Sequence, residues 1–173
     1  MRYIELRRHT DNDGDDLTIE GVADAEEIGR DGLRPPYVAF VSSGANRATQ
    51  MLTILRHAAG QDDVAISEVT GLRSTVEDRW RSAARAAGKG ATVERIRAVD
   101  PDLVEHEERL LGAALKRIVE SLPEGGRALV VGHSPTNEAA VAALTGTAVE
   151  PLGKGAGLLL VEDGGRFTVS PLA

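Results

Sequence analysis

The segment 128–135 reads ALVVGHSP, an apolar run that ends in glycine, histidine, serine and proline. Four consecutive apolar residues are typical of a strand buried on both faces, as in parallel sheets that carry helices on both sides. Gly132 and Pro135 favour a turn directly after that strand, and residues 136–145 favour a helix. The segment therefore predicts a strand, a turn and a helix in succession.

The rest of the chain repeats this alternation of strand and helix. Strands are predicted at 2–7, 37–41, 64–66 and 128–131, and helices at 18–30, 46–59, 72–98, 101–122 and 136–145, with Thr18 as the cap of the first and glycine breaks at 88 and 90. Asp163-Gly164-Gly165 predicts a hairpin turn between strands at 157–162 and 166–170. The fold class predicted is α/β, a three-layer sandwich with a mostly parallel central sheet, an antiparallel edge and helices on both faces.

Composition narrows the class of protein. A chain of 173 residues that is 42% hydrophobic is expected to form a single domain over 1–173. Without cysteine, the chain has no disulfide, thiolate zinc site or cysteine nucleophile. It carries no signal-peptide pattern and no apolar run long enough for a membrane span, so we expect a cytoplasmic protein with no membrane partner. A net charge of −7 argues against a nucleic-acid partner.

The charge is unevenly distributed along the chain. Residues 72–97 contain seven basic and three acidic side chains, against an acidic remainder. Two interpretations stay open for this segment. It is either a solvated helix face or a rim whose local field attracts an anionic substrate.

Polar side chains follow three of the predicted strands. Arg8 and His9 end the first, Ser42-Ser43 end the second with Arg47 in the helix beyond, and His133 follows the late strand. Ligands of α/β sheets bind beyond the carboxyl ends of the strands, so these groups are expected to converge. Guanidinium groups hold phosphate oxygens, and a neutral imidazole can attack phosphorus. The pattern indicates phosphoryl transfer without a metal ion or other cofactor.

Four motifs in order then carry a resemblance to a known family. They are Arg8-His9-Thr10, Leu17-Thr18-x-x-Gly21, Ser42-Ser43-x-x-x-Arg47-Ala48-x-Gln50 and Val130-Val131-x-His133. The set resembles the histidine phosphatase superfamily, also called phosphoglycerate-mutase-like. The short chain resembles its minimal branch, which includes bacterial phosphohistidine phosphatases. Thr10 replaces the family's usual glycine, and Arg7 replaces an apolar strand residue.

The resemblance implies a role for each matching residue. His9 would be the nucleophile that becomes phosphohistidine, Arg8 and Arg47 would clamp the phosphoryl group, and His133 would donate to a phosphate oxygen. Thr10 and Ser43 are expected as additional phosphate contacts.

The proton donor to the leaving group is less well marked. Glu68 matches the family's acid, but its spacing to Gly71 is one residue short, so it is either that acid or a surface glutamate. The minimal branch can lack the acid when the leaving group is already good, as an imidazole is.

Three functions follow as hypotheses. The first is a metal-independent phosphatase that acts on a phosphorylated small molecule or on a phosphohistidine protein. The second is a mutase or phosphotransferase of the same family, and the third is a non-catalytic phosphate-binding protein. The acidic run 11–16 does not fit a calcium loop, because Asp16 and Val22 stand where glycine and glutamate are needed. We expect 11–16 to be a flexible loop near the site.

Overall fold

A computed structural model describes residues 1–172. The strands are β1 (Arg2–Arg8), β2 (Asn12–Asp13), β3 (Asp16–Leu17), β4 (Ala39–Ser42), β5 (Ile66–Glu68), β6 (Arg127–Gly132), β7 (Gly157–Asp163) and β8 (Arg166–Pro171). The α-helices are α1 (Ile19–Asp31), α2 (Asn46–Ala58), α3 (Glu77–Ala87), α4 (Val93–Val99), α5 (Pro101–Ser121) and α6 (Thr136–Thr145). A 3₁₀ turn covers Thr70–Leu72. No helix within residues 1–172 has the length and apolar character that crossing a bilayer requires.

The central sheet has six strands in the order β5-β4-β6-β1-β7-β8. The first four are parallel, while β7 runs antiparallel to β1 and β8 antiparallel to β7. Helices cover both faces, because alternate residues of β6 enter two different cores. Ala128 and Val130 pack in the core that includes α5 and α6, whereas Leu129 and Val131 pack in the core that includes α1 and α2. This arrangement confirms the predicted fold class and explains the uninterrupted apolar run.

Three predicted boundaries shift in the structure. β4 starts at Ala39, because the N–H of Tyr37 donates to the Gln61 side chain before the strand begins. β5 lies at Ile66–Glu68, two residues later than predicted, where it pairs in parallel with β4. The region 72–98 contains two helices, separated at the predicted glycines, where Gly88 and Gly90 adopt φ values of +102° and +68°.

The acidic run 11–16 was predicted as a flexible loop, and this prediction is wrong. Asp13 and Asp16 pair within the small β2–β3 hairpin. Asp16 accepts hydrogen bonds from Asn46 and Gln50 of α2, and Lys154 forms an ion pair with Asp11 at 2.9 Å. These partners come from remote parts of the chain, so the local composition gives no sign of them.

The central strand β1 carries two buried charged side chains. Glu5 is fully buried and accepts from the Tyr37 hydroxyl at 2.7 Å and from Arg127 at 3.1 Å. Arg7 donates to the carbonyl oxygens of Gly155 and Gly32 at 3.1 and 3.0 Å. A buried ion is tolerated only when partners replace its water. Arg7 therefore stands at an apolar strand position because it fastens two loops to the middle of the sheet.

Candidate functional site

The two histidines are brought together by the pairing of β1 with β6. The parallel register sets Arg8 opposite Gly132, and the N–H of His9 donates to the Gly132 carbonyl at 3.1 Å. His9 and His133 therefore leave the sheet side by side. Their ring centroids are 5.3 Å apart with an interplanar angle of 65°.

Asn137, in the first turn of α6, fixes the two strand ends to each other. Its amide nitrogen donates to the Arg7 carbonyl at 3.1 Å, and its amide oxygen accepts from the N–H of His133 at 3.3 Å. The side chain is buried. A Cβ atom at Gly132 would collide with this amide, which accounts for the glycine before His133. Asn137 was not predicted as a site residue, although its position four residues after His133 at a helix start was the available signal.

Hydrogen bonds define the tautomer of His9. Its Nδ1 lies 2.8 Å from the Thr10 carbonyl oxygen, which can only accept, so Nδ1 carries the proton. Its Nε2 accepts from Nε of Arg47 at 3.3 Å, so the lone pair on Nε2 faces the arginine. Burial, reinforced by the positive charges of Arg47 and Arg8, lowers the pKa of His9 to about 4, although the bond to Thr10 acts in the opposite direction.

Hydrogen bonds also define the tautomer of His133. Arg47 can only donate, so the contact of its Nη2 with Nδ1 of His133 at 3.4 Å makes Nδ1 the acceptor. Nε2–H then donates to the buried hydroxyl of Ser43 at 2.8 Å. Burial and the adjacent Arg47 lower the pKa of His133 to about 3. Both imidazoles are therefore neutral at neutral pH.

Arg47 connects the two histidines to the β2–β3 hairpin. Its Nη1 forms an ion pair with Asp15 at 2.8 Å, and its Nη2 lies 4.0 Å from the Glu77 carboxylate. The Arg47 side chain is only 14% exposed. An arginine this buried, between two neutral imidazoles and a carboxylate, is placed to exchange the carboxylate for another anion.

Arg8 reaches the site from the opposite wall. Its Nη1 donates to the Leu152 carbonyl at 2.7 Å, while the N–H of Leu152 donates to Glu138 at 2.9 Å. Burial raises the pKa of Glu138, against the opposing effects of its hydrogen bonds from Leu152 and Ser134 and of the Arg8 charge. Glu138 and Arg8 together fix the loop at Leu152, which in turn sets the position of the Arg8 guanidinium.

A cavity of about 410 Å³ collects these groups. Arg8, His9, Arg47 and His133 all line it, as the sequence predicted for their positions. Lys154, Trp80 and Glu77 also line it and were not predicted. Four cations, counting Arg81, and one carboxylate line the cavity, although Arg47, Arg81 and Lys154 each pair with an aspartate outside this lining. Such a lining can hold an anion such as phosphate.

Three predicted site residues lie elsewhere. Thr10 is buried, and its hydroxyl donates to the Gly21 carbonyl at 2.7 Å, so it positions the turn after β1 and does not line the cavity. The Ser43 hydroxyl is hydrogen-bonded to Nε2 of His133 at 2.8 Å. Glu68 is exposed and lines a neighbouring cavity of about 730 Å³, whereas Glu77 lines both cavities.

The motif at 17–21 has a structural explanation. Thr18 caps α1, with its hydroxyl accepting from the N–H of Gly21 at 3.0 Å, as predicted. A Cβ atom at Gly21 would collide with the Asp11 carbonyl, so only glycine lets the helix pass this close to the turn after His9. The motif therefore packs α1 against the turn after His9 without contacting the site.

Comparisons with known proteins show a similar fold but little similarity of sequence. No model of a known protein family matches the sequence, and no curated protein sequence matches it. A phosphoglycerate mutase from Bacillus anthracis superposes with a TM-score of 0.74 at 18% identity, over 98% of this chain and 91% of that one. Bacillus stearothermophilus YhfR superposes with a TM-score of 0.73 at 21% identity, over 99% of this chain and 96% of that one. A mycobacterial glucosyl-3-phosphoglycerate phosphatase superposes with a TM-score of 0.73 at 18% identity, over 99% of this chain and 98% of that one.

The chain has the phosphoglycerate-mutase-like fold. The matched structures include phosphatases and a mutase of this fold, each spanning nearly the whole chain. At identities near 20% the similarity establishes the fold, so the activity must be argued from the side chains.

The low pKa of His9 predicts its titration behaviour. An imidazole in an unfolded chain has a pKa near ~6.5, whereas His9 should stay neutral until the pH falls to about 4. Because the unfolded state binds a proton first, the free energy of unfolding should decrease as the pH falls from ~6.5 toward the folded pKa.

Imidazole NMR shifts recorded against pH, assigned with a His9→Gln variant, measure this directly. A midpoint for His9 near that of the denatured protein would show that the ring is not desolvated.

Proposed function

We propose that this protein is a metal-independent phosphatase that hydrolyses a phosphomonoester or a phosphohistidine through a covalent intermediate on His9. The observation that carries the proposal is the state of His9: neutral, with its proton held on Nδ1 by Thr10 and its Nε2 lone pair directed into the cationic cavity. A nucleophile needs an available lone pair, and here it faces the side chains that would hold its target.

Substrate binding would exchange partners at Arg47. In the free protein Arg47 holds Asp15 and the two imidazoles. A phosphate group would replace these contacts, with Arg47 and Arg8 gripping its oxygens. Such charge-assisted bonds neutralise the equatorial oxygens as phosphoryl transfer proceeds.

His133 can assist only by presenting an N–H to the phosphate. The Ser43 hydroxyl allows this, because it can donate to Nε2 of His133 as well as accept from it. The proton of His133 would then lie on Nδ1, on the side of Arg47 and the phosphate. Ser43 is therefore proposed to act on the substrate through His133.

The chemistry has two displacements. Nε2 of His9 forms a bond to phosphorus as the bond to the leaving group breaks, and the developing positive charge on the ring is stabilised by the Thr10 carbonyl at Nδ1. Water then attacks the phosphohistidine, the N–P bond breaks, and inorganic phosphate leaves with His9 restored to the neutral form.

For an alcohol leaving group, Glu77 is the carboxylate proposed to take the proton of the phosphomonoester monoanion and pass it to the alcohol oxygen as the P–O bond breaks. It lines the cavity with His9, lies 4.0 Å from Arg47 and is ion-paired with Arg73 at 2.9 Å. A phosphohistidine substrate needs less help, because imidazole leaves readily. Glu68, which the family pattern favours, lines only the neighbouring cavity and not the one that contains His9.

A phosphotransferase or mutase is the second candidate. Two further cavities adjoin the His9 site and share lining residues with it, so an acceptor molecule has room beside the phosphohistidine. A matched structure of the same fold is a phosphoglycerate mutase.

Turnover of a panel of phosphomonoesters and of a phosphohistidine peptide tests the proposal. Replacing His9 by alanine should lower kcat by roughly 10⁴-fold or more, because it removes the nucleophile that forms the covalent intermediate. His57→Ala is the control, since that histidine is exposed and pairs only with Asp62. Turnover retained by His9→Ala would contradict the mechanism, and turnover abolished by EDTA would contradict metal independence.

The two glutamates are separated by their response to the leaving group. Glu77→Gln should slow hydrolysis of alkyl phosphates by about 10²-fold, the usual loss of a general acid, with a much smaller effect on aryl phosphates. Glu68→Gln is the matched control and should leave both rates close to wild type. The opposite pattern would assign the acid to Glu68.

A further inference from the structure

The cavity at His9 continues into a second cavity of about 450 Å³. Four residues line both spaces, namely Arg8, Ala84, Ser134 and Pro135. Arg8 therefore stands at the junction, with the histidines on one side and the second cavity on the other. The two spaces form one groove, named here the α3 groove.

Helix α3 forms one wall along the whole groove. The lining residues are Glu77, Trp80, Arg81, Ala84 and Arg85 of the helix and Gly88, which directly follows it. They recur at spacings of three and four, with two adjacent pairs, so they occupy one helical face. Glu77 stands at the end beside Arg47, and Arg85 and Gly88 stand at the far end.

The basic residues of 72–97 fall into two groups, according to whether their side chains have a partner. Arg73, Arg79, Arg81 and Arg97 are paired with carboxylates, and Arg95 donates to the Ala87 carbonyl. Among the described residues, the side chains of Arg85 and Lys89 have no hydrogen-bond or ion-pair partner, and both line the far end of the α3 groove. The two basic side chains of this segment that lack a partner are thus the two at this end.

The charge of the groove differs from that of the larger cavity beside Glu68. No Asp or Glu among the described residues lines the second cavity, which has Arg8, Arg85 and Lys89. The cavity beside Glu68 has two arginines, both ion-paired, and three carboxylates. In a protein of net charge −7, an anionic leaving group would be directed into the α3 groove.

We propose that the α3 groove holds the leaving group of the substrate, and that Arg85 and Lys89 bind a second anionic group at its far end. The proposal rests on the proposed function, since it places the reactive phosphate at His9. Between the two ends the walls are apolar, formed by residues that include Ile96, Pro135, Pro151 and Leu152. The substrate class is therefore a small phosphomonoester with a second phosphate or carboxylate beyond an apolar spacer.

Binding of phosphonates tests the groove without requiring turnover, because phosphatases do not cleave the C–P bond. Calorimetry would compare alkyl phosphonates with bisphosphonates of the same spacer, over a series of spacer lengths. At the best length we expect wild type to bind the bisphosphonate about 5- to 20-fold more tightly, as two exposed cations allow. The preference should shrink as ionic strength rises.

In the variant Arg85→Ala/Lys89→Ala, the preference for the bisphosphonate at the best spacer length should fall. It should then be about as small as the preference that wild type shows at the shortest spacer length. Lys116→Ala/Arg117→Ala is the matched control, since it removes the same two charges from the exposed face of α5, and it should keep the preference. All four side chains are exposed, and a thermal melt checks that each variant is folded.

A wild-type preference that is absent, or that persists in Arg85→Ala/Lys89→Ala, would overturn the proposal. Bisphosphonate binding that depends on Arg85 and Lys89, in a protein that hydrolyses no phosphomonoester, would uphold the groove and overturn the proposed phosphatase function.

Discussion

The parallel pairing of β1 with β6, in one register, is the constraint on which the site depends. It sets Arg8 opposite Gly132 and delivers His9 and His133 to the same edge of the sheet. A slip by one residue would turn every side chain of β1 to the other face. Asn137 opposes such a slip, because its amide bonds both to β1, at Arg7, and to the residue that follows β6, at His133.

Burial at this edge has an electrostatic consequence. Both histidines are largely withdrawn from water and face Arg47, so the charged imidazolium is disfavoured in each. The arrangement that positions His9 therefore also keeps its Nε2 lone pair unprotonated. Asp15 balances part of the arginine's charge in the free protein, and under the proposed function a phosphate would take its place.

Much of the fold could be read from the sequence, because its signals are local. The apolar run at 128–131 and the glycines at 88 and 90 each act through their own backbone or burial preference. The four residues Arg8, His9, Arg47 and His133 were also predicted to meet, since parallel strands end at one edge of the sheet.

What the sequence could not supply was the pairing of remote side chains. The order in the 11–16 hairpin comes from α2 and Lys154, and the role of the Thr10 hydroxyl is set by Gly21. Which of the basic residues in 72–97 are neutralised depends on acids elsewhere, such as Asp100 and Glu108. Glu77 reaches the cavity because α3 folds across it, and no spacing along the chain encodes that.

The central claim is that phosphate passes through a covalent bond to His9. Rapid mixing with substrate, quenching in alkali to preserve a phosphoramidate, and mass spectrometry of the peptides test it most directly. The account predicts phosphate on the peptide that contains His9, released by acid and absent from His9→Ala. Steady turnover with phosphate found on another residue, or an enzyme that turns over without ever carrying phosphate on His9, would contradict it.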